Sequence, residues 1–299
     1  MKLTLLLFLV LSCTFTSAPK KTTLTPSDVK SWGLQLQSYT APYDLPRIRS
    51  SDADLWVMDM GVSKTENFTS TQINILKTND KKIIAYMSIG EAESYRYYFA
   101  SMPTALKGEV NTKWSQNYTV HFWEKAWQDI FISNDGPSGK SYLDRIQDAA
   151  FDGVFLDVID AYERFNDQGA KAIEMANFII RISQKAKARN KDFVIILQNG
   201  LQIRRLLPNA QPLLDAIDGV NVEHTFFEGD RDFDNVFHAN PAALEDIHFF
   251  QNANKFVLSL EYLQDPKLID QYFKYAQEIK VSPLAAEKKL AGPLTIFKP

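Results

Sequence analysis

Eight short apolar runs, separated by helical patterns, constrain this sequence more than any other feature. They are Trp32–Tyr39, Asp54–Gly61, Lys82–Gly90, Gly153–Asp160, Asp192–Gln198, Gly219–Thr225, Lys255–Glu261 and Ile279–Ala285. Most are continuous Val, Ile, Leu and Phe rather than strictly alternating, as strands read when both faces are buried in a parallel sheet. Between them, Ala170–Arg189 carries apolar residues at Ile173, Ala176, Ile179, Ile180 and Ile182, on one helical face. Ser70 is placed to cap a helix over Ser70–Thr78, and Asn240-Pro241 and Asp265-Pro266 each set an N-cap before a first-turn proline. Eight strands with intervening helices predict an α/β chain closed into a (β/α)8 TIM barrel, a fold of ~250 residues. No Gly-x-Gly-x-x-Gly opens the first unit, which argues against a dinucleotide fold.

One connection is oversized. Some sixty residues, from Glu91 to Asp152, separate the third and fourth runs and contain two helical pieces, near His121–Phe131 and Ser141–Ala149. Insertions after barrel strands lie at the catalytic face. Ahead of the barrel, Lys2 and the apolar Leu3–Leu11 read as an export signal, too short for the ~20 residues of a membrane span. Two ends fit it: small residues at Thr16-Ser17-Ala18, with an unfavourable Pro19 after them, or a lipobox at Val10–Cys13 with an acylated Cys13. The expected organisation is a signal over 1–18 (or one ending before Cys13), a Thr-rich tether over 19–28, and a single barrel domain over 29–299. The expected location is secreted, periplasmic or cell-surface. Cys13 is the only cysteine, so the folded domain has no disulfide and no thiol nucleophile. A net charge of -3 gives no footprint for nucleic acid, and a lipid on Cys13 would be the one link to a membrane. The domain is expected to act as a monomer.

In such a barrel the chemistry sits at the C-terminal ends of the strands. There the sequence is acidic: Asp59, then Glu91 and Glu93, then Asp157 and Asp160, then Glu223, then Glu261, with Gln198 and Asn199 among them. A single acid ending a strand is commonly a turn residue; acids ending five strands converge on one rim. Asp157 stands out because Val154–Leu156 precede it and Val158 and Ile159 follow, and an isolated charge in apolar surroundings must be paired, hydrogen-bonded or functional. Two carboxyl groups across a scissile bond are what glycoside hydrolysis requires. His121, His224, His238 and His248 show no ligand spacing, so no metal site and no cofactor are expected, although a carboxylate-bound hard cation is the competing enzyme reading. Serine hydrolysis is disfavoured by the lack of Gly-x-Ser-x-Gly. A non-catalytic cell-surface carbohydrate-binding barrel is the alternative outside enzymology.

Several of these segments together resemble the endo-α-1,4-polygalactosaminidase family, glycoside hydrolase family 114. They are Trp32–Gln37, Asp54–Asp59, Ile84–Tyr98 with its Gly-Glu-x-Glu-x-x-Arg, Phe122-Trp123 to Trp127, Phe151–Tyr162 with its Phe-Asp-Gly-Val-x-x-Asp-x-x-Asp, Gln198-Asn199 and Asn221–Glu223. The resemblance runs in order over nearly the whole mature chain. It implies a barrel that hydrolyses an α-linked amino-sugar polysaccharide with retention, with Asp157 as nucleophile and Glu223 as acid/base, or the two exchanged. Val158 and His224 depart from the residues usual after these acids, which bears on the sugar accepted. Tyr39, Asp59, Glu91, Arg96, Asp160, Tyr162, Asn199 and Glu261 are the expected sugar contacts, with Glu91 and Arg96 paired to each other. Of Trp114, Trp123 and Trp127, at least two are expected to pack the insertion rather than meet a sugar.

Overall fold

The structure is a computed structural model and describes residues 24–39, 45–61, 66–133, 139–288, 290 and 295–296. The signal, Cys13 and the first half of the tether, 19–23, lie outside these residues. All eight apolar runs carry strands: β1 (Trp32–Gln35), β2 (Leu55–Met58), β3 (Lys82–Ser88), β4 (Gly153–Asp157), β5 (Val194–Gln198), β6 (Gly219–Glu223), β7 (Phe256–Tyr262) and β8 (Ser282–Ala286). They pair in parallel in chain order, so the fold is a nearly closed TIM-like barrel. At the seam, Trp32 Nε1 donates to Ser282 O at 2.9 Å and Ser282 Oγ donates to Val29 O at 2.7 Å, tying β8 to the segment of β1. Thr295–Ile296 adds a short antiparallel strand against β8.

Because side chains alternate along a strand, each run divides between two cores. Leu55, Val57, Ile84, Tyr86, Phe155, Ile196, Leu258 and Leu260 fill the barrel interior. Trp56, Met58, Ile83, Ala85, Val154, Leu156, Ile195, Val220 and Val257 face the helical layer. Continuing that alternation to the strand ends puts Asp59, Asp157, Gln198, Glu223 and Tyr262 on the interior side, where they meet at the mouth. Glu261 falls on the other parity.

Helices α1 (Leu45–Ser50), α2 (Ser70–Asn74), α3 (Lys125–Ile132), α4 (Tyr142–Asp148), α5 (Gln168–Arg189), α6 (Gln211–Ala216), α7 (Pro241–Asn252) and α8 (Pro266–Glu278) form the outer layer and part of the insertion. Asn240 and Asp265 cap α7 and α8 as expected, whereas α2 is capped by Thr69 in a capping box with Gln72, not by Ser70. The insertion holds the two expected helices, α3 and α4. It also holds an unexpected three-stranded antiparallel sheet of Glu91–Glu93, Lys107–Val110 and Asn117–Val120, with the last in the centre. Tyr98, Trp127, Phe131 and Tyr142 pack edge to face beneath it, and Trp127 Nε1 donates to Ile89 O at 2.8 Å, anchoring the insertion to the end of β3.

Candidate active site

The mouth opens into a cavity of about 1010 Å³ lined by residues from β1 to β7 and from the insertion, including Asp157 and Glu223. Asp157 ends β4, and its carboxylate takes the Tyr86 hydroxyl at 2.6 Å and the Val158 amide at 2.8 Å. Its carboxyl reaches the cavity but has protein on most sides. That burial, with the nearby Glu223 charge adding to it, raises the Asp157 pKa to about 7 against the pull of its two donors. Glu223, ending β6, accepts hydrogen bonds from Gln198 Nε2, from Asn199 Nδ2 at 3.3 Å and from the Tyr262 hydroxyl. Burial and the Glu223 carboxylate together push the Tyr262 hydroxyl far up, so it remains a donor.

The chain leaves these strands through left-handed residues. Val158 (φ 58°), Asn199 (φ 56°) and His224 (φ 51°) directly follow β4, β5 and β6. For a β-branched valine this conformation costs roughly 1–3 kcal/mol and persists only where the surrounding structure fixes it. The turn is overdetermined from the other side, since any Cβ at Gly90 would lie 2.0 Å from Val158 O. Asn199 suits its position better: its side chain accepts from the Glu223 amide at 2.9 Å and so fixes the acid it touches.

Beside the pair lies a buried ionic network. Arg96 clasps Asp59 through both terminal nitrogens, at 2.8 and 2.7 Å, and reaches Glu93 through Nε at 2.7 Å. Tyr95 donates a further hydrogen bond to Glu93, and Asp59 also takes the Gly61 amide at 2.6 Å. Tyr39 donates to Gln35 O at 2.5 Å and accepts from the Asp59 amide at 2.9 Å, holding the end of β2. The expected Glu91–Arg96 pair does not form. Glu91 bonds Arg164, Asn111 and Asn117 instead, because Arg96 turns back three residues to Glu93 and across to β2.

Tyr39, Asp59, Glu91, Arg96, Asp160 and Asn199 line the cavity with the central pair. Tyr162 and Glu261 do not. Tyr162 is fully buried because the 3-10 turn Ile159–Arg164 rotates it into the core. Glu261 points out of the barrel, where its carboxylate accepts the Thr225 and Phe226 amides at 2.8 and 2.7 Å and orients the loop after Glu223; burial raises its pKa to about 8. Tyr86, Tyr262 and Gln198, which touch the central acids, are missing from the expected contacts, although interior parity on β3, β7 and β5 points to them. Trp127 and Trp123 pack the insertion, as expected for two of the three tryptophans, while Trp114 stays 58% exposed on the cavity rim. Among the described residues no group of three His, Cys, Asp or Glu is placed to hold a metal ion, and no helix is long and apolar enough to cross a membrane.

Fold and site together define a TIM-barrel protein with a carboxylate-lined cleft at the C-terminal mouth, the class to which many carbohydrate-active barrels belong. The particular family follows from the sequence: the model of glycoside-hydrolase family GH114 matches residues 14–298, and the chain belongs to that family. It is 31% identical over 259 residues to an uncharacterised protein of Methanocaldococcus jannaschii, covering 83% of this chain and 70% of that one. An uncharacterised protein of Deinococcus radiodurans is 30% identical over 269 residues, covering 88% and 82%. Among solved structures, Aspergillus fumigatus Ega3 in complex with galactosamine superimposes with a TM-score of 0.68 at 17% identity, covering 94% of this chain and 99% of that one. The glycoside hydrolase domain of PelA from Pseudomonas aeruginosa gives 0.65 at 14%, covering 89% and 98%. At these identities the likeness concerns the fold.

Proposed function

We propose that the protein hydrolyses an α-linked amino-sugar polysaccharide of the polygalactosamine type, with Asp157 and Glu223 as the reacting carboxyl groups. One observation carries the reading: two acids from β4 and β6 line one cavity at the C-terminal mouth of the barrel. In the retaining course, ionised Asp157 attacks the anomeric carbon while Glu223 gives its proton to the departing glycosidic oxygen. The resulting glycosyl ester is opened by water, whose proton returns to Glu223 as the water oxygen bonds to the anomeric carbon and Asp157 leaves. Asp59, Glu91, Glu93 and Asp160 join the central pair in a lining where Arg96, Lys113, Arg164 and Lys288 offset part of the charge, and family membership with the remaining excess of acids favours a sugar bearing an ammonium group.

Incubating the protein with α-linked galactosamine and N-acetylgalactosamine oligomers, in the presence of a chelator, tests this by mass spectrometry of the products. Shorter galactosamine oligomers are expected to appear with the chelator present. Intact oligomers of both kinds would sink the proposal, and cleavage abolished by chelation would favour the hard-cation reading instead.

The raised pKa of Asp157 adds a pH signature. A nucleophile must be ionised, so kcat/KM is expected to fall as pH drops through about 7, the proton taken up by Asp157 in the free enzyme removing attack. A decline on the alkaline side of 7, with a flat acidic side, would give Asp157 the proton donor's part and Glu223 the nucleophile's.

A further inference from the structure

We propose that Trp114 is the platform of an outlying sugar subsite of the cleft; the inference rests on the carbohydrate reading above. Trp114 is the most exposed large aromatic among the described residues, at 58%, and it lines the same cavity as Asp157 and Glu223. A single exposed aromatic is ordinary on a protein surface; what sets Trp114 apart is that its exposed ring lines the cavity that holds both central acids. A pyranose ring suits it, since its flat face of C–H groups covers an aromatic ring while its hydroxyls stay hydrated.

The turn that displays Trp114 is held firmly. Asn111 Oδ1 accepts the amides of Lys113 and Trp114 at 2.9 and 3.2 Å, and Trp114 O accepts the Asn117 amide at 2.8 Å. Both asparagines are fastened to Glu91: Asn111 Nδ2 donates at 2.9 Å and Asn117 Nδ2 at 3.1 Å. Glu91 is itself 1% exposed and salt-bridged to Arg164, which belongs to the turn following β4. One buried carboxylate thus ties the insertion's outer turn to the segment that carries Asp157. A presenting turn fixed in this way loses little freedom when a ligand arrives, the condition under which a stacking contact adds affinity. The cavity, at about 1010 Å³, is at the upper end of ordinary ligand pockets and has room for several sugar rings.

The test compares wild type with Trp114→Ala and Trp114→Tyr on galactosamine oligomers from dimer to octamer. In wild type kcat/KM should climb with length and then level off. Trp114→Ala should lower it about tenfold on the longer oligomers and leave the shortest within twofold, with Trp114→Tyr restoring most of the loss. A length profile unchanged in Trp114→Ala overturns the platform and leaves the hydrolase standing. If wild type cleaves none of the oligomers, their quenching of tryptophan fluorescence decides: quenching in wild type that disappears in Trp114→Tyr keeps the platform on a binding protein, whereas no quenching removes both.

Discussion

Asp157→Asn and Glu223→Gln are each expected to lower kcat on a cleaved oligomer by at least about 10³-fold, with the oligomer still bound. Both changes are nearly isosteric, so the loss reports chemistry rather than shape. In Asp157→Asn the side-chain oxygen can keep the Tyr86 hydroxyl as donor but no longer the Val158 amide as well, and the group has no charge to ionise. The second effect has a sign of its own. A carboxyl whose folded pKa of about 7 lies above its unfolded value of 3.8 favours the native state only while protonated. Stability therefore falls as pH rises between those values, and Asp157→Asn removes the penalty. The variant should gain stability as pH rises above 4, reaching at most about 4 kcal/mol above pH 7, and less because the cavity admits water. Activity down a thousandfold with a melting temperature unchanged or raised is the pattern of a reacting group that costs stability. The two substitutions together should cost little more than either alone, since the groups act as a unit. Either single variant within tenfold of wild type would remove that residue from the chemistry; retained binding with no activity in wild type itself would mark a carbohydrate-binding barrel.

Much of this site is legible in the sequence, because the rules that place it are local. Unbroken apolar runs announce the strands, a barrel puts their polar ends on one rim, and period-two alternation decides which ends face inward. Counting from Phe155 and Asn221 puts Asp157 and Glu223 inside, and the same count from Leu258 and Leu260 puts Tyr262 inside and Glu261 outside. Glu261 reads as a sugar contact because it ends a strand; parity is the better guide. The remaining departures come from interactions that sequence spacing does not encode. Lys107–Val110 is mostly exposed and Glu91–Glu93 is too short to show a period, so the insertion sheet carries no strand signal. Glu91 and Arg96 are five residues apart and of opposite charge, yet Arg96 meets Asp59 from 37 residues upstream, a choice made by the barrel bringing β2 and β3 side by side. Tyr162 reads as a polar residue beside an active strand, but a 3-10 turn opened by the left-handed Val158 sends it into the core.

The ionic cluster around Arg96 sets the second large expectation: Arg96→Met should destabilise the protein by about 3–5 kcal/mol, roughly 10 °C in melting temperature, though methionine fills much of the same volume. Asp59 and Glu93 are both buried, at 7% and 2% exposure, and Arg96 is the one guanidinium bonded to both. With it, two negative charges share one delocalised positive charge through three short, well-directed hydrogen bonds. Without it, two carboxylates face each other out of water, and the cost is that of uncompensated charge rather than of a lost contact. The distinction can be measured. Acidification should recover part of the loss, since a protonated carboxyl carries no buried charge, whereas a cavity left by poor packing would be indifferent to pH. Asp59→Asn placed on top of Arg96→Met should likewise recover stability by removing one orphaned charge. Arg96→Lys should fall between, retaining the charge but unable to grip Asp59 with two nitrogens while reaching Glu93 with a third. Thermal melts of wild type and these variants at neutral and acidic pH decide the matter: an Arg96→Met protein as stable as wild type would mean that water or a rearranged neighbour already screens the two acids, and that the network is not what holds β2 against the insertion.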